Sequence, residues 1–223
     1  MHKNSEIMER KKILVLAPHA DDEVLGCGGY LLHEAKKGSQ IKIVIATIGG
    51  DDKRQNIEER KSEFDKVCNA IGAEGSVMFY GKDALLDEFN DRTITSAIDK
   101  IVDEYRPDEI FLNYRSRHQD HKKMYDCALA SFRLREGWMP KLIALYEYPF
   151  VSDGLDIVLG GKMYHNISDN IDDKIRLFEL YESQIRVSPS PLNANGIRKF
   201  SAFRGIEAGV EYAELFYIQK MII

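Results

Sequence analysis

The stretch KKILVLAPHADDE, residues 11–23, places a nearly continuous apolar run directly before a histidine and three consecutive acidic residues. Such a run is typical of a strand that is buried on both faces of a parallel sheet. The glycine-rich segment GCGG follows at residues 26–29, within a helix predicted over residues 24–37. The stretch therefore predicts a strand-helix unit with polar side chains at the C-terminal end of the strand.

Beyond this unit, short β-rich runs alternate with longer amphipathic patterns. The predicted strands are residues 41–48, 76–81, 109–114 and 141–149, and the predicted helices are residues 55–71, 92–105 and 119–134. This alternation predicts right-handed crossovers and an α/β fold. We expect a Rossmann-like, mainly parallel sheet of order 3-2-1-4-5 with helices on both faces. The final third is predicted to form an irregular appendage, with a helix over residues 169–186 and a loop over residues 188–196.

The bulk properties indicate a single domain over residues 1–223, with a flexible segment at residues 1–10. A net charge of -5 and the absence of a clustered Lys/Arg face argue against nucleic acid as a partner. The three cysteines form no CxxC pattern, which suits a reducing cytosol. No apolar run has the length of a bilayer span, and the first residues lack the apolar core of a signal peptide. We therefore expect a cytoplasmic protein without a membrane partner. Whether it forms a homo-oligomer is left open by the sequence.

A second polar cluster, RHQDHKK, follows the fourth predicted strand and contains His118, Asp120 and His121. Strands one and four are neighbours in the expected order, so the two clusters should meet in a crevice beyond their C-terminal ends. Two imidazoles and a carboxylate suit Zn²⁺, and the candidate ligands are His19, Asp22 and His121. The same set also suits Fe²⁺.

The glycines after the first strand allow a rival interpretation as a nucleotide-binding loop. A dinucleotide fingerprint needs G-x-G-x-x-G at the strand-helix turn, but a histidine and acidic residues occupy that turn here. Three adjacent carboxylates would also repel a phosphate. The glycines are better explained by close packing. A nucleotide- or cofactor-binding Rossmann-like protein without hydrolytic activity stays open as the alternative from another class.

The motifs PHADDE (residues 18–23) and HQDH (residues 118–121) resemble those of the PIG-L/LmbE-like family of metal-dependent N-deacetylases. RKSE (residues 60–63) resembles the R-x-x-E helix of that family. YESQ (residues 181–184) and YAELF (residues 212–216) resemble its C-terminal pieces more loosely. Ala20 and Gln119 stand where the family usually has proline. The similarity spans residues 11 to about 218.

The resemblance implies roles for individual residues. It assigns His19, Asp22 and His121 as metal ligands, Asp21 as the general base and His118 as the residue that stabilises the oxyanion. Asp120 is a candidate for orienting His118 or His121, with a solvated helix residue as the alternative.

Arg60 lies on the apolar stripe of its predicted helix, so it should face inward. It either pairs with Glu63 or points at a polar ligand, and the resemblance favours substrate binding.

The activity that the resemblance implies is that of a zinc-dependent hydrolase. It would remove the acetyl group from a small acetylated amino sugar or glycoconjugate of the N-acetylglucosamine type, or a related acetamido compound. A metal-dependent amidase that cleaves a larger acyl amide or thiol conjugate would use the same chemistry and is the first alternative.

Overall fold

The computed structural model describes residues 10–49, 56–82, 84–147, 149 and 161–223. The strands are β1 (Lys12–Ala17), β2 (Gln40–Ile48), β3 (Glu74–Tyr80), β4 (Glu109–Asn113), β5 (Leu142–Tyr146), β6 (Gly161–Asn166) and β7 (Ala213–Met221). The helices are α1 (Asp22–Lys36), α2 (Ile57–Ile71), α3 (Asp91–Tyr105), α4 (Gln119–Ser131), α5 (Ile171–Glu179) and α6 (Ala194–Ala208). Among the helices of these ranges, none combines the length and apolar character that a bilayer span needs.

The strands form one seven-stranded sheet in the order β3-β2-β1-β4-β5-β7-β6. Strand β1 pairs in parallel with β2 on one side and with β4 on the other. Strands β3 and β5 continue the parallel pairing outward. This confirms the expected order 3-2-1-4-5 and makes β1 and β4 neighbours, as the predicted crevice requires.

The core consists of two layers on opposite faces of this sheet. Ile13 and Val15 of β1 pack with side chains of α1, α2 and α5 on one face. Leu14 and Leu16, the alternate residues of the same strand, pack with α3 and α4 on the other face. Burial on both faces explains why β1 is an unbroken apolar run, and it confirms helices on both sides of the sheet.

The C-terminal third is more regular than the sequence predicted. Strand β7 pairs antiparallel with both β5 and β6, so this part of the chain extends the sheet by two strands. No hairpin turn joins β6 to β7, because α5 and α6 lie between them in the chain, and a short-range hairpin signal is therefore absent. Helix α6 begins at Ala194, inside the predicted loop, where the Asn193 side chain caps it by accepting a hydrogen bond from Gly196 N at 2.9 Å.

Other differences are smaller. The helix predicted over residues 169–186 ends at Glu179, and the chain turns there to bring the buried Tyr181 towards α1. Helix α1 spans Asp22–Lys36 but is interrupted at Cys27, whose φ of -139° and ψ of 16° are not helical. Residues 1–9 of the predicted flexible N-terminal segment lie outside the described residues.

Candidate metal centre

The turn after β1 and the N-terminus of α4 bring three histidines together. One nitrogen each of His19, His118 and His121 lies within 4.8 Å of the others. The ring centroid of His19 is 4.9 Å from that of His118 and 5.2 Å from that of His121. Within the described ranges, this is the one group of three or more His, Cys, Asp or Glu side chains that meets that distance criterion. The structure therefore brings the two polar clusters of the sequence into one crevice.

Asp22 lies between two of these histidines. Its Oδ2 atom is 3.2 Å from His121 Nε2 and 3.4 Å from His19 Nδ1, and it accepts a hydrogen bond from the backbone N–H of His19 at 3.0 Å. Burial alone would raise the pKa of the Asp22 carboxyl, but His121 and His19 outweigh burial and hold that pKa well below its ordinary value. Asp22 is therefore a carboxylate facing two imidazole nitrogens.

This donor set fits a divalent cation. Zinc–ligand distances of about 2.0–2.1 Å in a tetrahedral site place neighbouring donor atoms about 3.4 Å apart. The separations of 3.2 and 3.4 Å from Asp22 Oδ2 to the two histidine nitrogens are close to that spacing. His19, Asp22 and His121 could therefore hold Zn²⁺ or Fe²⁺ with little rearrangement, and His118 completes the same cluster.

Asp21 precedes α1 in an unusual backbone conformation. Its φ of 127° is one that residues other than glycine rarely adopt, and such strain is retained where the surrounding structure enforces it. The Asp21 side chain is buried beside Asp22. Burial, with Asp22 adding to it, raises the pKa of Asp21 well above its ordinary value. Asp21 thus has the higher proton affinity that a general base needs near neutral pH.

Glu23, which sequence reasoning left without a role, anchors the backbone of Asp21. Its Oε2 atom accepts a hydrogen bond from Asp21 N at 3.0 Å, and its Oε1 atom accepts one from the hydroxyl of Tyr181. Both Glu23 and Tyr181 are completely buried. Burial raises the pKa of Glu23 to about 7. The YESQ motif was the available signal for this contact, because it contains the tyrosine.

Asp120 contacts a different histidine from those expected. Its Oδ2 atom lies 2.9 Å from His19 Nε2, and its Oδ1 atom accepts a hydrogen bond from Leu86 N at 3.0 Å. The carboxylate reaches His19 because the two loops face each other across the crevice. The solvated alternative is wrong, since Asp120 is fully buried. Asp120 can therefore orient His19, the candidate ligand on the opposite loop, as carboxylates commonly orient metal-bound histidines.

His118 caps α4 and faces solvent at the opening of the crevice. Its Nδ1 atom accepts a hydrogen bond from Asp120 N at 3.2 Å. Burial of part of the ring lowers the pKa of His118, and His19 and His121 lower it further. The imidazole is therefore neutral near pH 7, with its proton on Nε2, since Nδ1 is the acceptor. In this form the Nε2–H group of His118 is a hydrogen-bond donor.

Arg60 lies beneath the same loop and is only 4% exposed. Its guanidinium donates to Glu63 Oε2 at 3.2 Å, to Ser183 Oγ at 3.3 Å and to the carbonyl oxygen of Ala20. Ala20 directly precedes Asp21, so the hydrogen bond from Arg60 to the Ala20 carbonyl holds the backbone of the strained turn in place. Of the two sequence alternatives, the pairing with Glu63 is present, and a role in substrate binding stays a prediction.

Comparison with known proteins agrees with the motifs. Residues 14–132, more than half of the chain, match the model of the PIG-L family, described as GlcNAc-PI de-N-acetylase. An uncharacterized deacetylase of Escherichia coli K12, YaiS, is 28% identical over 152 residues, which are 65% of this chain and 78% of YaiS. A probable N-acetyl-alpha-D-glucosaminyl L-malate deacetylase 2 of Bacillus subtilis 168 is 26% identical over 149 residues, 61% of this chain and 67% of that protein.

Solved structures with the same fold are more distant in sequence. The conserved protein TT1542 of Thermus thermophilus has a TM-score of 0.78 at 23% identity, covering 96% of both chains. The N,N'-diacetylchitobiose deacetylase of Pyrococcus horikoshii has a TM-score of 0.76 at 22% identity, covering 98% of this chain and 87% of its own. GalB, a 4-carboxy-2-hydroxymuconate hydratase of Pseudomonas putida KT2440, has a TM-score of 0.73 at 15% identity, covering 95% of this chain and 98% of GalB. At these identities the structures show the fold alone, whereas the match to the family model covers both clusters of the candidate metal centre. The chain belongs to the PIG-L family of de-N-acetylases.

Proposed function

We propose that this protein is a metal-dependent N-deacetylase that hydrolyses the acetamido group of an N-acetylglucosamine-type or related compound. The observation that carries the proposal is the convergence of His19, Asp22 and His121 around one point, with the buried Asp21 beside them. A divalent cation held by those three ligands would supply a Lewis acid that acidifies water and polarises the amide carbonyl. Zn²⁺ is the proposed metal, with Fe²⁺ as the alternative.

The proton transfers are assigned to Asp21. Its carboxylate accepts a proton from the attacking water as the new C–O bond forms at the acetyl carbon. The protonated Asp21 then donates to the departing nitrogen as the C–N bond breaks, and acetate and a free amine are released. The raised pKa of Asp21, caused by burial and by Asp22, supports this role, because a carboxylate with a higher proton affinity accepts a proton from water more readily.

Stabilisation of the negative charge that develops on the carbonyl oxygen is assigned to His118. Its Nε2–H can donate to the developing oxyanion, and its Nδ1 is held by the N–H of Asp120. Losing one such donor typically lowers the rate by about 10²- to 10³-fold. The position of His118 at the opening of the crevice supports contact with a substrate that enters from solvent.

The substrate class is proposed from the relatives. Two of them are named for deacetylation of an N-acetylglucosaminyl compound and of diacetylchitobiose, both of which carry acetamido sugars. As parts of the same proposal, the chain is one domain over residues 1–223 and acts on a small glycoconjugate in the cytoplasm. The fold alone cannot carry this proposal, since a hydratase shares it.

A panel of acetylated amino sugars, assayed for free amine and acetate with metal-free protein reloaded with Zn²⁺ or Fe²⁺, tests the activity. Release of a longer acid from other amides would favour the amidase alternative. Nucleotide binding without amide hydrolysis would favour the other alternative, a nucleotide- or cofactor-binding Rossmann-like protein without hydrolytic activity.

Two variants test the assignments within the site. We expect Asp21→Asn to bind zinc normally and to lose about 10²- to 10⁴-fold in rate. His121→Ala should lose the metal itself. His33→Ala is the matched control, because His33 lies on α1 against His165, where their ring centroids are 4.9 Å apart, and takes no part in the centre. Full activity of Asp21→Asn, or unchanged zinc content of His121→Ala, would contradict the proposal.

A further inference from the structure

The break in α1 at Cys27 is occupied by an ion pair from the C-terminal third of the chain. In a continuous helix, Gly29 N–H would donate to the Leu25 carbonyl oxygen. Here Gly29 N donates to Glu214 Oε1 at 2.7 Å, and Leu25 O accepts from Lys174 Nζ at 2.8 Å. Lys174 Nζ and Glu214 Oε1 are themselves 2.7 Å apart. The ion pair thus bonds to the two main-chain groups, Gly29 N–H and Leu25 C=O, that a continuous helix would join to each other.

The charges match the two helix ends that the break creates. Both oxygens of Glu214 are used, since Oε2 accepts from Tyr30 N at 2.8 Å. A carboxylate on free N–H groups stabilises the start of the second segment, and an ammonium on a free carbonyl stabilises the end of the first. Lys174 and Glu214 are 3% and 4% exposed, so solvent weakens these interactions little.

The glycines of GCGG make room for this arrangement. A β-carbon on Gly26 would lie 2.6 Å from Tyr146 Cγ, and one on Gly29 would lie 2.5 Å from Ile167 Cγ2 and 3.1 Å from Glu214 Oε1. Any larger residue at these two positions would push α1 away from the strands that it covers. The glycine-rich segment is therefore explained by contacts on the buried side of the helix, as close packing predicts.

The first segment of α1 is the part that carries Asp22. Residues 22–26 make little more than one helical turn, which is too short to be stable by itself. At its N-terminal end, Glu23 accepts a hydrogen bond from Tyr181, and Arg60 donates to the carbonyl oxygen of Ala20 just before the segment. At its C-terminal end, Leu25 O accepts a hydrogen bond from Lys174. The direction of this turn decides whether Asp22 Oδ2 lies within reach of both His19 and His121.

We propose that Glu214 and Lys174 are positioning residues for the metal centre. By bridging the break in α1, they fix the turn that presents Asp22, although neither contacts the metal ligands. The inference rests on the proposed function in taking His19, Asp22 and His121 as the ligands. It assigns a role to the YAELF segment, which contains Glu214, in metal affinity.

Glu214→Gln is the primary test, because it keeps the shape of the side chain but removes the charge and replaces one acceptor by a donor. The matched control is Glu207→Gln on the neighbouring helix α6, where Glu207 pairs with Arg204 at the surface. Three properties are measured: amide hydrogen exchange of Gly29 and Tyr30, the zinc dissociation constant by chelator competition, and kcat and KM at saturating zinc.

We expect the two amides to exchange faster in Glu214→Gln. Zinc affinity should fall by about tenfold, the lower end of the effect of losing a partner that hydrogen-bonds a ligand directly, because Glu214 acts on Asp22 through the turn. At saturating zinc, kcat should fall while KM changes little. Glu214→Asp keeps the charge and should recover part of the zinc affinity. Glu207→Gln should match the wild type in all three measurements.

An unpaired buried ammonium could prevent Glu214→Gln from folding, so the double variant Lys174→Met/Glu214→Gln removes both charges. The same loss of zinc affinity in this variant supports the inference. A folded variant of either kind with wild-type zinc affinity overturns it. Wild-type protein that binds no zinc and releases no acetate would instead overturn the proposed function, and this inference with it.

Discussion

Gly26→Ala adds a single methyl group at the most crowded point of α1. The added carbon would lie 2.6 Å from Tyr146 Cγ and 2.8 Å from Tyr146 Cε2, with Cδ2 closer still. A carbon–carbon contact needs about 3.5 Å, so the helix and the ring must separate by more than about 1 Å to relieve the contact with Cδ2. The ring has no room to withdraw, because Tyr146 is completely buried and its hydroxyl donates to Leu16 O at 3.1 Å.

The first segment of α1 therefore has to move away from the Tyr146 ring. Overpacking of this kind costs about 1–3 kcal/mol, and the rigid ring places Gly26→Ala at the upper end. A loss of about 2–3 kcal/mol lowers the melting temperature of a chain of this size by about 4–12 °C. Because Asp22 lies on the same turn, we also expect zinc affinity to fall by about tenfold or more.

Thermal denaturation with and without zinc, together with chelator competition, measures both effects. Gly161→Ala is the matched control, since the nearest atom to its added carbon, Ile218 Cδ1, is 3.9 Å away. Its free energy of unfolding should stay within about 0.5 kcal/mol of the wild type. If Gly26→Ala melts at the same temperature as the wild type, the close packing of α1 against β5 is wrong, and so is the reasoning built on it.

Three further predictions concern other parts of the molecule. Arg60→Lys should lower the free energy of unfolding by about 1–3 kcal/mol and reduce kcat. The compact ammonium of lysine cannot reach all three acceptors that the planar guanidinium spans. A raised KM with unchanged stability would indicate substrate binding instead. Removing zinc with a chelator should lower the stability by about 2.7 kcal/mol relative to protein at 100 times the zinc dissociation constant, and Asp22→Asn should abolish this difference in calorimetry. Asp99, although partly desolvated, has a lowered pKa because of Arg133, Ser131 and Arg135, so Asp99→Asn should cost about 1 kcal/mol at pH 7. That cost should disappear as the pH falls below the folded-state pKa of Asp99, and a constant difference between the two proteins in acid denaturation would refute it.

The sequence was sufficient for the framework of the site. Apolar runs predicted the first five strands, and the doubly wound arrangement supplied their expected order, which brought HADDE and HQDH to one crevice. These predictions succeed because parallel strands that are buried on both faces leave a strong local pattern. The strand order is that of a common doubly wound sheet, which alternating strands and helices favour and which no single residue has to specify.

What the sequence could not provide are the contacts made over long separations. The pairing of Asp120 with His19 crosses the crevice, whereas the expected partners were His118 and His121 of the same HQDH motif. The links from Tyr181 to Glu23 and from Glu214 to Gly29 join segments more than 150 residues apart. Such contacts follow from the tertiary packing of α5 and β7, and neither periodicity nor capping rules contain that information.

Strand β7 has a consequence for the order in which the molecule is made. It lies between β5 and β6 in the sheet although it follows both in the chain. Glu214 and Gly29 are 185 residues apart, so about 10–40 s of translation separate their synthesis at 5–20 residues per second. Throughout that interval the nascent chain lacks the carboxylate that accepts from Gly29 and Tyr30 in the folded protein. The HADDE motif is therefore synthesised well before the segment that completes its geometry.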